Sequence, residues 1–568
     1  MLTWLWLGWA DLFFGLFSAL LLSFGAVLAA CVLSFGAAGV CQSEQNHMKN
    51  PQKLREISLD KISAADYNLT SEENNSPFTG DFMTKKRLSL FQPIDLTEGT
   101  CWKTIFLFSI PIIISYLLQQ IYTISDAAIV GQTLAADEVA GVNDTSPIAF
   151  IFLQFAFGVS AGFCAVTARS VGAHDEAAVR RSLATQIVLS AALTVALTAL
   201  ALVLLNPMLA WINLTPASGE VYRAAFTYCA IIFAGIGAQL FYNFICSFLR
   251  SLGDSVTPLL FLLFSTALNV GLDLLFIVTF RWGVAGAAIA TVLAQLLSTI
   301  SCFCYAFARY PKLRLHREDW AITRHDIGQH ALQGIPLGLQ FSVLAIGIIV
   351  VQSVVVKFDI LDGQMVSNAA QNGFGAANKF TGSLMTLLNG LGTAMTSFVA
   401  QNLGAGNFER IRKGARQALV MFAIATAISS ALGFLASIGN FYLHLFLSAD
   451  KVTPDTIRYG STFLYVDMAL MLLLGGVFLL RNCVQGIGKP QFILGSGIAE
   501  LVARVLVCLL LPAAVAGGEV SAAAPHAAYL ALCLADPMAW FAADLVMVIP
   551  FIRNILKMDY RYLYKRRA

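Results

Sequence analysis

From residue 104 to residue 552 long apolar runs alternate with short polar breaks. Runs of about 20 apolar residues are long enough to cross a bilayer as a helix. Lipid offers no hydrogen-bond partner to loose backbone, so each run predicts a transmembrane helix. Twelve are predicted, at 104–130, 145–168, 183–205, 222–248, 257–280, 284–308, 332–357, 366–400, 416–438, 457–482, 491–516 and 524–552. A further apolar run covers 4–40 with no Lys or Arg before it. It lacks the basic start of a secretory signal, so 1–41 is read as an extra hydrophobic segment. Residues 42–100 are polar and read as a disordered cytoplasmic leader, with Met83 as an alternative start of translation.

One polar break is present twice. Ala168–Ser182 reads ARSVGAHDEAAVRRS and Ala400–Gly414 reads AQNLGAGNFERIRKG. Aligned without gaps, Gly172 falls on Gly404, Ala173 on Ala405 and Arg180 on Arg412, 232 residues apart. That period is too long for a solenoid. It predicts two homologous halves of six helices each.

Composition and charge sharpen this picture. Of 568 residues, 58% are hydrophobic and 12% charged, about half the charged share of soluble domains. Nucleic-acid binding is not expected. The eleven cysteines show no metal spacing and read as packed thiols. The segments 83–103, 168–183, 249–256, 309–331, 400–416, 481–490 and 553–568 hold 25 of the 36 Lys and Arg. The positive-inside rule makes that side cytoplasmic, with both ends of the core on it, in a multi-pass protein of the plasma (inner) membrane. Six helices return the chain to its starting side, so the halves are parallel repeats. The expected fold is all-α, with an N-terminal lobe at 101–309 and a cytoplasmic linker at 310–331. A C-terminal lobe at 332–553 and a basic tail at 554–568 follow.

Polar residues inside apolar runs are the candidate chemistry, because an Asp at mid-bilayer costs about 2.5–3.5 kcal/mol on insertion scales. Gln119, Tyr122, Thr123 and Asp126 share one face of the first helix. Thr266, Asn269 and Asp273 do so on the fifth, and Thr291, Gln295 and Ser298 on the sixth. Three polar stripes in one lobe predict one cavity. Two carboxylates out of water can load and release a proton as a coupled pair. Carboxylate, amide and hydroxyl oxygens also suit Na⁺. In the second lobe the eighth helix is polar through Gln371, Asn378, Lys379 and Asn389. Glu500 and Arg504 stand four apart on one helix and are expected to pair. Substrate-contact candidates are Gln119, Tyr122, Gln295, Gln371, Asn378 and Lys379.

The chain resembles the multidrug and toxic compound extrusion (MATE) family. The leader LTEGTCWKTIFLFSIPIIIS (96–115), YTISDAAIVG (122–131) and the doubled loops carry the likeness. FLRSLGDSVTP (248–258), LRNCVQGIGKP (480–490), LNVGLDLLFI (268–277), GIPLGLQ (334–340) and ADPMAW (535–540) extend it over residues 95–555. The resemblance implies antiport: H⁺ or Na⁺ moves inward while organic, often cationic, compounds move outward. It implies no cofactor and no metal beyond Na⁺, and a monomer whose partners are small organic molecules and the bilayer. In one branch the N-terminal lobe's cation site uses an Asp on the first helix, an Asn and an Asp four apart on the fifth, and a Thr on the sixth. Asp126, Asn269, Asp273 and Thr291 match that pattern. Another branch places acids on the seventh and tenth helices. Here the seventh has none, and Asp467 on the tenth does not match cleanly.

Two rival functions were weighed. A lipid-linked sugar flippase would need a strongly cationic central cavity, and the sequence places only Lys379 and Arg504 among membrane-embedded cations. Gly158-Val-Ser-Ala-Gly162 fits the G-x-S-x-G pattern of a serine hydrolase, but inside a helix rather than at a strand-to-helix turn. The chain is therefore read as a transporter and not an enzyme.

Overall fold

The computed structural model describes residues 92–212 and 214–557. The extra segment 1–41, most of the leader including Met83, and the last eleven residues of the basic tail lie outside the described residues. Of the described residues, those up to 303 and those from 310 to 557 form one compact unit.

All twelve predicted helices are present. The N-terminal lobe holds α1 (Cys101–Thr133), α2 (Ala136–Gly172), α3 (Glu176–Trp211), α4 in two halves (Glu220–Ala234 and Ile236–Ser251), α5 (Val256–Asp273) and α6 (Gly283–Arg309). The C-terminal lobe holds α7 (Arg324–Lys357), α8 (Ala369–Gly404), α9 (Phe408–Ser437), α10 (Pro454–Gly486), α11 (Pro490–Ala516) and α12 in two pieces (His526–Cys533 and Ala535–Phe551). Eleven helical spans are long and apolar enough to cross a membrane singly, and the two halves of α4 together supply the twelfth. Several run past their expected ends, and at α3 and α7 a polar cap starts the helix early. Asp175 accepts from the Ala178 amide at 2.9 Å and starts α3 early. Thr323 accepts from Asp326 at 3.2 Å, so α7 begins at 324 and the linker shrinks to 310–323. That linker is fastened to the first lobe by Arg180–Asp319 at 3.1 Å and Lys312–Glu176 at 2.9 Å.

Two irregularities matter for the site. The halves of α4 meet at Gly235 with a 45° bend, the kind of break that glycine permits. A Cβ there would lie 2.3 Å from Val292 of α6. The α5 helix loosens into a π-helical turn at Leu274–Thr279, directly after Asp273. Such turns recur at functional sites.

The lobes meet along α1, α2, α7 and α8. Lipid drives no hydrophobic association, so helices there approach through small residues. A Cβ on Gly158 of α2 would lie 2.8 Å from the Gly338 Cα of α7, and one on Gly162 2.6 Å from the Gly334 Cα. The duplicate contact pairs α8 with α1, where a Cβ on Gly390 would lie 3.1 Å from the Ile113 Cα. Gly158 and Gly390 are again 232 residues apart.

At the Arg- and Lys-rich end of the molecule the doubled loops interlock. A Cβ on Gly172 would fall 1.9 Å from the Gln401 carbonyl oxygen, and one on Gly404 1.9 Å from that of Arg169. Arg169 and Gln401 occupy equivalent places in the two copies. Each copy thus presses its glycine on the other's backbone across a pseudo-two-fold axis.

Residues 92–100, expected to belong to a disordered leader, run largely exposed over this seam and are anchored to it at Leu96. Leu96 is fully buried; its amide reaches Gln401 Oε1 at 3.3 Å and its carbonyl accepts from Asn402 at 3.0 Å. Arg410 binds the carbonyls of Glu98 and Gly99. The polar composition of 92–100 hid one apolar anchor.

A candidate cation site and an inter-lobe cavity

Asp126, Asn269, Asp273 and Thr291 come together inside the first lobe. The bundle places the polar stripes of α1, α5 and α6 against one another. The Asp126 and Asp273 carboxyls are neighbours. Asp273 is fully buried and Asn269 nearly so. Asn269 Nδ2 approaches the Thr291 hydroxyl at 3.5 Å. Neither Asp273 oxygen, nor Asn269 Oδ1, has a well-formed hydrogen bond among the described residues. Tyr122 of α1 stands beside Asp126 and Thr291, and Tyr228 of α4 beside both acids. No Lys or Arg forms an ion pair with either acid among the described residues. Buried polar oxygens without donors are costly, so this cluster has the capacity to take a proton or a small hard cation. The sequence stripes do not single out Tyr228, one of three tyrosines in an apolar helix.

The remaining candidates scatter. Gln295 is half-buried one turn along α6 and takes no part in the Asn269–Thr291 contact. Gln119 is exposed on α1. Gln371 belongs to the first turn of α8, where its amide donates to Asp359 at 2.9 Å. That Asp follows α7, beside a short hairpin of β1 (Ile360–Leu361) and β2 (Gln364–Met365). Asn378 is half-buried and Lys379 exposed, further along α8.

A second feature lies between the lobes, a cavity of about 220 Å³. Its walls come from α1, α2, α4, α7, α8 and α10. None of the six substrate-contact candidates lines it. Arg250 of α4 and Arg481 of α10 do, and no Asp or Glu does. The sequence reading assigned both arginines to basic loops, which left Lys379 and Arg504 as the embedded cations. The structure corrects this: Arg481 is 9% exposed and Arg250 half-buried.

The second lobe handles its acids differently. Glu500 pairs with Arg504 as expected, at 3.3 Å, but also with Arg481 at 2.7 Å. Arg504 reaches on to Asp536 at 2.7 Å. Asp467 lies buried near Asp536 and Arg504, with neither oxygen hydrogen-bonded.

The serine motif has no catalytic setting. The Ser160 hydroxyl is held by the Ala156 carbonyl at 2.9 Å. The buried His330 of α7, which the sequence reading did not place in the membrane region, bonds Ser182 at 2.8 Å instead.

Two six-helix lobes, a carboxylate pair inside the first and a cavity between the two are the architecture of a membrane transporter. The chain belongs to the MatE family, the multidrug and toxic compound extrusion transporters, whose family model matches residues 111–275 and 344–510. The two matched blocks fall one in each lobe. Among relatives, a probable multidrug resistance protein YpnP of Bacillus subtilis is 28% identical over 400 residues, covering 69% of this chain and 84% of its own. An FAD transporter of Shewanella oneidensis is 23% identical over 420 residues, covering 72% and 87%. Among solved structures, the outward-facing conformation of a multidrug resistance MATE family transporter superposes with TM-score 0.71. It is 21% identical, covering 82% of this chain and 98% of its own.

Proposed function

We propose that this protein is an H⁺- or Na⁺-coupled antiporter that expels small organic compounds. The coupling site is Asp126 and Asp273 with Asn269 and Thr291. The observation that carries the reading is the buried Asp273, whose two oxygens lack donors while a second carboxylate stands beside it. Such a pair is stable at membrane depth only when a proton or cation offsets its charge. The multidrug resistance names of the relatives support export of organic compounds.

The mechanism follows from the two states the lobes can adopt. With the basic end cytoplasmic, the interlocked glycine seam closes the inner side, so the cation enters from outside. Binding neutralises the carboxylates. The lobes then rock, the seam parts, and the cation leaves inward as cargo loads. Coupling requires that cation and cargo favour different states. One chain supplies both lobes, so a monomer in the inner membrane suffices.

The test uses proteoliposomes with an imposed pH or Na⁺ gradient, ethidium and 2-naphthoate as cargo, and wild type beside Asp126→Asn. Gradient-driven flux in wild type that disappears in the variant is expected. No flux of either cargo under either gradient would sink the antiporter. A flippase for lipid-linked sugars is the second reading, now favoured by the arginines of the cavity. Scrambling of a fluorescent polyprenyl pyrophosphate by the same vesicles, independent of any gradient, would replace the first reading with it.

A further inference from the structure

The cavity between the lobes carries chemistry that the coupling site does not use. Arg250 pairs with no carboxylate among the described residues, and its Nε has no hydrogen-bond partner. Arg481 is held on one side by Glu500, with Asp544 near it, yet its own Nε is also unbonded. Both line a space without any carboxylate. Lys379 is seven and fourteen residues before Thr386 and Thr393 on α8, so it shares their face. Thr393 lines the cavity and bonds Tyr116 of α1 at 3.1 Å, so that face looks across the gap between the lobes. Lys379 is exposed there and forms no ion pair. A guanidinium removed from water without a counter-charge is costly, and a bound anion offsets that cost with charge-assisted hydrogen bonds.

The wall also carries five aromatic rings among aliphatic and neutral polar side chains. Tyr116, Phe150, Phe157, Phe341 and Phe478 line the same space, and Phe157 and Phe341 meet edge to face at 5.3 Å. Rings of this kind favour a flat apolar body by stacking and edge contacts.

We propose that the inter-lobe cavity is a binding site for small amphipathic anions, an aromatic body carrying a carboxylate or sulfonate, with Arg250 as the anchor of the anionic group. This reverses the cationic preference that the family resemblance implies, because Asp126 and Asp273 sit inside the first lobe while Arg250 and Arg481 face the space between the two. The inference rests on the antiporter reading only for the direction of travel. Binding itself needs no gradient.

The experiment is equilibrium binding to the purified full-length protein in detergent, with three probes of one shape: 2-naphthoate, neutral 2-naphthylmethanol and 2-naphthylmethylammonium. Naphthoate should bind at least about tenfold tighter than the ammonium, the worth of a charge-assisted hydrogen bond. Arg250→Gln should erase that preference and leave the ammonium unchanged, while Arg250→Lys retains most of it. Equal affinities, a preference for the ammonium, or an anion preference that survives Arg250→Gln would each overturn the proposal. Should Arg250→Gln fold poorly, competition between naphthoate and the ammonium on wild type decides, because the absence of an anion preference there is already fatal. Naphthoate binding without gradient-driven flux removes the antiporter and keeps the site. Ethidium flux without an anion preference does the reverse.

Discussion

The two lobes share a fold but treat buried acids in opposite ways. In the first, Asp126 and Asp273 stand side by side, both Asp273 oxygens lack a well-formed hydrogen bond, and no Lys or Arg pairs with either acid among the described residues. In the second, Glu500 is held between Arg481 and Arg504, and Arg504 also pairs with Asp536. A carboxylate clamped by guanidinium groups is already neutralised and gains little by binding a proton. An unclamped pair must find its counter-charge elsewhere. Under the proposed antiport, ion traffic belongs to the first lobe and the second lobe is braced. Asp467, with both oxygens unbonded, and Asp544, with one, are exceptions beside the clamped acids.

The contrast can be broken in four ways. The largest effect should follow Glu500→Gln, which leaves Arg481 and Arg504 short of a partner. Thermal unfolding in detergent should show a loss of about 3–5 kcal/mol; an unchanged melting temperature would mean that the clamp is decorative. Asp273→Asn should do the opposite. Stability should hold or rise, while gradient-driven flux falls by about a hundredfold, within the reach of allosteric coupling energies. Flux that persists would move coupling to Asp467. Third, Gly404→Ala inserts a methyl where a backbone carbonyl stands at 1.9 Å. The seam should lose about 1–3 kcal/mol, the usual cost of overpacking, and Gly172→Ala should match it. Spin-label distances between the doubled loops would report the parting, and effects of different size would break the pseudo-symmetry. The smallest change is Thr291→Val, which removes the hydroxyl near Asn269. The half-saturating concentration of the coupling ion should rise a few-fold, about 0.5–1.5 kcal/mol.

What could be read from the chain depended on where each residue's signal was visible. The twelve helices were legible because apolar length is written locally. Asp126 and Asp273 were legible because acids interrupt apolar runs, and their shared face follows from helical spacing. Arg250 and Arg481 were misread for the complementary reason. Each sits in the last turns of a helix, beside loop residues, where the positive-inside pattern pools every basic residue. Only packing reveals that their side chains turn inward. The network of Glu500, Arg504 and Asp536 was half legible, because the α11 pair is local and the reach to α10 and α12 is not. Residues 92–100 looked like more leader because one buried leucine among polar neighbours carries no periodicity.

The glycine seam has a meaning for the history of the chain. Gly172 on Gln401 and Gly404 on Arg169 is the same contact made twice, each partner giving what it receives. In an oligomer such a contact would be isologous, the hallmark of a two-fold homodimer. The seam therefore reads as the relic of two identical six-helix subunits later joined by the linker. A gene cut within 310–323 and expressed as two halves should reassemble through the interface that first brought those subunits together.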